Sequence, residues 1–383
     1  MPVSPVVIST PNALPTFSTL NPQPIGSSLY TVIFNRNSGS TLVVYKSNDA
    51  GATWSRMDQT HEPTVQAAMT PTWIYDGSSN LLIACSVGSA SGDPMQVQFY
   101  NVSTDTWGSM VNTTVEAPSE SLPAFSILDS GVMVVVGNFD SLAFGSNVRA
   151  GYILINISTG AALSSVVRCG ETANTTDNWY PRQMLLASGL WFTFVQSPAS
   201  GAGTQKLVVQ NLSGSLGSLV TVDTGSNSPS IGAMVCAFCD GSRAALAWSP
   251  QGTTVNVLQC GVNSFPTSLI HQSISSGSAA VAYALLVSQG VTVIAINAAG
   301  ILTVYQDSTG TMLDSGTVVY QPFTGDGGFV NVSGDSFMLG GSSAVSLVAS
   351  DASFGSQTIV VLAQASPPTP PAPGPGVNIA HSA

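Results

Sequence analysis

Apolar residues in this chain fall into short runs that recur in one order from end to end. The clearest set is SLYTVIFNR, NLLIACSVG, GVMVVVGNF, GLWFTFVQS, SRAALAWSP, GVTVIAINA and DSFMLGGSS. Runs of this length, rich in β-branched and aromatic residues, are strands. A turn precedes each: Gly26-Ser27, Asp76-Gly77, Ser130-Gly131, Ser188-Gly189, Asp240-Gly241, Gln289-Gly290 and Gly334-Asp335. Glycine supplies the positive φ that tight hairpins need. Ahead of the turn lies another apolar strand, as in LPAFSILDSG and IGAMVCAFCDG.

A further strand ends at a repeated anchor. Tyr45, Tyr100, Ile155 and Gln210 are spaced 55 residues apart, the last three followed by Asn, an aliphatic residue and Ser; Gln259, Tyr305 and Ala349 are the matching positions in shorter copies. A fourth strand follows each anchor (TWSRM, TWGSM, LSSVV, SLVTV, TSLIH, GTVVY, TIVVL). Each unit is therefore a four-stranded antiparallel meander. Such a sheet cannot bury both faces alone, so the pattern predicts an all-β, seven-bladed β-propeller of four-stranded antiparallel blades.

The expected blades are 12–60, 61–115, 116–170, 171–225, 226–275, 276–322 and 323–365. Residues 1–11 form an N-terminal arm whose PVVIST is a candidate closing strand, although TIVVLAQ could complete the last blade without it. Residues 366–383 begin SPPTPPAPGPG, a Pro-rich tail expected to be extended and to serve as a tether or partner-binding segment.

Composition narrows the function classes. Charged residues make up 7% of the chain, and the net charge is −11 with eight Lys and Arg scattered along it. That excludes a nucleic-acid footprint. No apolar run reaches the length of a membrane span, and the first basic residue is Arg36, so neither membrane insertion nor a cleaved leader is expected. Five cysteines fit no zinc pattern, strand alternation sends Cys236 and Cys239 to opposite faces, and His61, His271 and His381 are isolated. Neither a metal nor a cofactor is expected. Six Asn-x-Ser/Thr triplets, at Asn101, Asn112, Asn156, Asn174, Asn211 and Asn331, read as turn chemistry.

The run Ser47-Asn48-Asp49-Ala50-Gly51-Ala52-Thr53-Trp54 resembles the Asp-box of sialidase-like propellers, and Asn101 to Trp107 is a worn copy. The resemblance implies a structural hairpin in which Asp49 accepts hydrogen bonds from turn amides, Gly51 takes the left-handed position and Trp54 packs on the blade. Ser47 opens the motif. The arginine triad and Tyr–Glu pair of sialidases are not placed in this sequence, so their activity is not carried over.

Two groups are candidate ligand contacts. Glu62, Glu116, Glu120 and Glu171 lie near blade junctions, where paired carboxylates could serve a glycosidase. Asp177-Asn178-Trp179-Tyr180-Pro181-Arg182 sets two aromatics and an arginine on an innermost strand, and Trp179, Tyr180 and Arg182, with Glu120, suit a sugar or peptide terminus.

The resulting expectation is a non-enzymatic propeller in an extracellular assembly, a phage virion head or tail appendage with a receptor-binding role. Its partners would be other proteins of that assembly, engaged through tail 366–383, and glycans. The alternatives are a carbohydrate-binding lectin or adhesin and a glycoside hydrolase of sialidase-like fold.

Overall fold

The computed structural model describes residues 6–8, 22–35, 41–65, 72–86, 93–118, 124–129, 131–139, 149–170, 176–186, 189–198, 205–213, 215–225, 236–239, 243–251, 254–261, 272–275, 283–287, 291–296, 302–307, 317–320, 331–339, 342–350 and 357–363. Side chains are described for 22–33, 41–65, 72–85, 93–118, 131–139, 150–170, 189–196, 205–213 and 215–224.

Among the described residues the chain is all-β, and its strands form seven four-stranded sheets with antiparallel pairing. The first sheet is Gln23–Ile25, Ser28–Asn35, Thr41–Ser47 and Ser55–Met57. The second is Thr72–Tyr75, Asn80–Ser86, Pro94–Asn101 and Thr106–Glu116. The third is Ala124–Asp129, Val132–Phe139, Arg149–Asn156 and Val167–Arg168. The fourth is Thr176–Leu186, Gly189–Pro198, Gln205–Ser213 and Ser215–Gly225. The fifth is Cys236–Cys239, Arg243–Gln251, Thr254–Gly261 and Gln272–Ser275. The sixth is Tyr283–Val287, Val291–Ile296, Leu302–Asp307 and Thr317–Tyr320.

The seventh sheet departs from the sequence register. Asn331–Leu339 leads it, Ser342–Ser350 and Gln357–Ala363 follow, and the trailing strand is Val6–Ile8 from the other end of the chain. Val6 pairs with Ile359 and Ile8 with Gln357. Gly334 and Asp335, expected as a turn, lie inside the leading strand opposite Leu347 and Ser346. The last stretch of chain supplies three strands, so each expected element there slides by one place. In the fifth sheet the trailing strand is Gln272–Ser275, and the expected TSLIH lies outside the described residues.

Alternation explains why the second strands read as unbroken apolar runs. Leu81, Ile83 and Cys85 pack with Tyr30, Val32, Leu42 and Val44 of the first sheet. Their neighbours Leu82 and Ala84 pack on Met133 and Val135 of the third. Val134 and Val136 then turn to Leu190, Phe192 and Phe194 of the fourth. Each strand thus buries both faces, since successive side chains point to opposite sides of a sheet. Removing such a side chain from water stabilises the fold by about 1.5–3 kcal/mol each. Leading strands also touch from sheet to sheet: Thr176–Leu186 lies against Ala124–Asp129 and Cys236–Cys239, and Asn331–Leu339 lies against Tyr283–Val287 and Gln23–Ile25.

Candidate functional site

A four-stranded meander has two ends. At the turn end the leading strand turns into the second and the third into the trailing one; at the link end lie the second-to-third connection and the passage to the next sheet. The two ends carry different chemistry here.

At the turn end of the first sheet, the Ser47–Trp54 hairpin is closed by its own side chains. Asp49 accepts from Thr53 N at 2.8 Å, from Thr53 Oγ1 at 2.6 Å and from Ser47 Oγ at 2.8 Å, and these bonds hold its carboxyl below the usual range. Gly51, at φ 92°, donates its N–H to Ser47 Oγ at 2.8 Å, and Trp54 Nε1 donates to Gly51 O at 3.1 Å. Asn101 does the same work in the second sheet, its Oδ1 accepting from Ser103 N at 2.9 Å and Thr104 N at 3.0 Å. Asn156 repeats this in the third with Ser158 N and Thr159 N, both at 3.0 Å.

Between the first two sheets sits a cluster that sequence reading missed. Asp105 accepts from Lys46 Nζ at 2.7 Å, from Tyr30 OH at 3.0 Å and from Tyr100 OH at 3.4 Å. Lys46 Nζ lies 5.2 Å from the centre of the Tyr30 ring, a cation–π distance. Burial raises the Tyr30 pKa, and burial and the Asp105 charge raise that of Tyr100. Burial works to lower the Lys46 pKa, but hydrogen bonds to Asp105 and Tyr30 outweigh it and the net shift is upward. Three donors occupy the Asp105 carboxylate, so the cluster fastens two sheets together and does not offer a free base. Beside it Asp58 Oδ2 accepts from Trp107 N at 3.0 Å and Oδ1 meets His61 Nδ1 at 2.6 Å. These bonds, led by the one to His61, lower the Asp58 pKa.

The candidate glutamates fare differently. Glu62 is gripped by Arg56, with Nε to Oε1 at 2.6 Å and Nη2 to Oε2 at 2.5 Å, and this pairing raises the Arg56 pKa. Glu116 ends the second sheet with Oε1 buried. Glu120 and Glu171 lie outside the described residues.

At the link end of the fourth sheet, the backbone of the Trp179–Arg182 segment is described and its side chains are not. Trp179 pairs with Val195 and Arg182 with Thr193, so the leading strand carries one extra residue and bulges at Tyr180–Pro181. Proline has no N–H for the ladder, and the bulge is what admits it to a strand. Bulges re-aim side chains, and this one lies on the leading edge of its sheet between the third and fifth sheets. One strand over, Gln196 pairs with Asn178 and Lys206.

Among the described residues no group of His, Cys, Asp or Glu could hold a metal ion, and no helix is long and apolar enough to cross a membrane. Cys85 and Cys169 are buried thiols; burial pushes the Cys85 thiol up to about 12 and the Cys169 thiol higher still. They are packing residues.

No family model matches the chain, and no curated protein matches it. Solved structures do. An ulvan lyase, a polysaccharide lyase, matches with a TM-score of 0.61 at 9% identity, over 94% of this chain and 96% of its own. An α-L-arabinanase of Penicillium chrysogenum, solved with arabinobiose, matches at 0.51 and 12% identity over 95% and 98%. A β-propeller domain from Myceliophteria thermophila matches at 0.55 and 11% over 93% and 98%. At these identities the likeness is one of fold, and the fold is that of a β-propeller.

This corrects the expectation of a non-enzymatic virion component. Chain-long matches to a lyase and an arabinanase are matches to carbohydrate enzymes, not to particle proteins. A missing sialidase set therefore gives no ground for setting enzymatic activity aside, because one architecture hosts unrelated chemistries.

Proposed function

We propose that the seven sheets are the blades of a closed ring, that Val6–Ile8 is its closing strand, and that the ring is a carbohydrate-active propeller taking a polysaccharide at its link end. The contact residues in this reading are Trp179, Tyr180 and Arg182 of the fourth blade, with Glu120. Aromatic faces stack on the C–H faces of sugar rings, and a guanidinium gives parallel donors to their oxygens. The Ser47–Trp54 hairpin, read as an Asp-box, is structural and belongs to the opposite end.

The observation that carries this reading is the bulge at Tyr180–Pro181 on a leading strand. Chain-long likeness to a lyase and an arabinanase supports it. The test is affinity electrophoresis of the full chain through arabinan, ulvan and a panel of neutral and uronic-acid polysaccharides, each also assayed for turnover. New reducing ends alone mark hydrolysis. New reducing ends together with the ultraviolet absorbance of a carbon–carbon double bond mark elimination. Trp179→Ala and Arg182→Ala should each weaken retention about tenfold, the loss of one good contact. A wild-type chain that none of the polysaccharides retards sinks the reading.

A further inference from the structure

Among the described residues the nitrogens of the buried carboxamides have partners, with Gln196 the exception. Gln96 Nε2 donates to Asn112 Oδ1 at 2.7 Å, Gln98 Nε2 to Gly108 O at 2.9 Å and Gln210 Nε2 to Gly217 O at 2.9 Å. Gln210 also uses its oxygen, which accepts from Gly170 N at 2.9 Å and so ties the third sheet to the fourth. Gln196 is as buried as these, at 4% exposure, yet its Nε2 has no partner among the described residues. A buried donor without an acceptor is a standing cost to stability, and native proteins keep few of them.

Its place in the fold indicates what the donor is for. The alternation that puts Leu190, Phe192 and Phe194 against the third sheet puts Gln196 on that same face, one step nearer the link end. On the facing strand, Val134 and Val136 lead to Asn138, which is 2% exposed. The apolar seam between the two sheets therefore ends in two buried carboxamides where it approaches the link end. In register, Gln196 stands opposite Asn178, the residue before the bulged Trp179–Arg182 segment.

We infer that Gln196 is a ligand-recognition residue whose Nε2 donates to a sugar oxygen of a glycan entering between the third and fourth sheets. This deepens the carbohydrate reading above and rests on it. The carboxamide nitrogen carries two hydrogens and no lone pair for acceptance, so the group it takes is an oxygen acceptor such as a ring hydroxyl. Stability is given up at this position for a contact made in the bound state, as at other binding sites.

The test pairs two substitutions, Gln196→Met and Gln98→Met, which keep side-chain length and remove the amide. Thermal midpoint and retention on arabinan and on ulvan are measured for both and for the wild type. Gln196→Met should hold or raise the midpoint while retention weakens tenfold or more. Gln98→Met should lower the midpoint, because its donor is in use. If the wild type is retained and Gln196→Met is retained equally, the assignment of Gln196 fails while the carbohydrate reading stands. A midpoint that drops in Gln196→Met as it does in Gln98→Met also overturns the assignment, since Gln196 would then be a structural residue. If neither these two nor any other polysaccharide of the panel retains the wild type, both readings fall together.

Discussion

Lys46 Nζ lies 2.7 Å from Asp105 Oδ2 across the seam between the first and second sheets, and the two side chains are 19% and 24% exposed. The pair is sheltered enough to be worth more than a surface ion pair. Asp105 also takes the hydroxyls of Tyr30 and Tyr100, so its loss removes an acceptor from three donors at once, of which the Tyr30 hydroxyl keeps Val102 O at 3.2 Å. Asp105→Ala should cost about 2–3 kcal/mol, and Lys46→Met about 1 kcal/mol because the two tyrosines still find the carboxylate. Urea denaturation of both variants checks the order; equal costs would mean that the tyrosines contribute nothing.

The same cluster sets an alkaline limit. Tyr30 and Lys46 both titrate above their ordinary values of 10.0 and 10.5 in the folded chain, and Tyr100 is raised as well. A group whose pKa rises on folding stabilises the fold fully below its unfolded pKa and stops doing so as pH climbs through the folded one. Stability from this cluster should therefore be intact up to about pH 10 and fall above it. Phenolate absorbance recorded alongside denaturation should show Tyr30 and Tyr100 ionising together with unfolding, and Tyr30→Phe should remove part of that step.

Asp76 governs the opposite limit. Burial would raise its pKa, but the amides of Asn80, Ser78 and Ser79 bond its Oδ1 at 3.0, 2.8 and 2.8 Å, and the net shift is downward. A lowered carboxyl stabilises the fold above its unfolded pKa, and the contribution is lost as pH falls through the folded value. Asp76→Ala should cost about 1–3 kcal/mol at neutral pH and make the midpoint less sensitive to acid below pH 4. Asp76→Asn, which keeps an acceptor, should recover part of the loss.

Gly151 is required by space. A Cβ placed there would stand 2.9 Å from Phe139 Cδ2 and 3.0 Å from Val167 O, and Phe139 is fully buried, so neither neighbour can yield freely. Gly151→Ala should destabilise by about 1–3 kcal/mol through overpacking. Phe139→Leu should relieve it in part, so the double variant should be more stable than the two single costs predict.

The pattern of second strands was legible because a sheet packed on both sides needs an unbroken apolar run, and VMVVVGNF in the third sheet is one. The register of the seventh sheet was misread because Gly334 and Asp335 have the look of a turn yet lie inside a strand, while the trailing strand comes from PVVIST of the N-terminal arm, one of the two ways of completing the sheet that the sequence offered. Lys46 and Asp105 escaped notice although they follow successive repeat anchors, Tyr45 by one residue and Tyr100 by five, in a chain with few charges. A charge kept at matching hairpins of successive units was the available signal. Gln196 left no such mark, since an orphaned donor is visible only when burial and partners are known.

The strand Val6–Ile8 covers Gln357–Ile359 and leaves the outer edge of Val360–Ala363 without a partner strand among the described residues. That remainder is Val-Val-Leu-Ala, apolar and β-prone, and an open edge of this kind pairs readily with another chain. In the sequence, two of the four residues that precede Val6 are Pro2 and Pro5, which have no N–H to donate to a ladder. Prolines at such positions disfavour extension of a ladder. Deleting residues 1–8 should bare the whole edge, speed amide exchange across Gln357–Ala363 and bring concentration-dependent association on size-exclusion chromatography. A synthetic PVVIST peptide added in trans should slow that exchange again and reverse the association. Exchange at Gln357–Ala363 that is unchanged by the deletion would mean that Val6–Ile8 holds nothing closed.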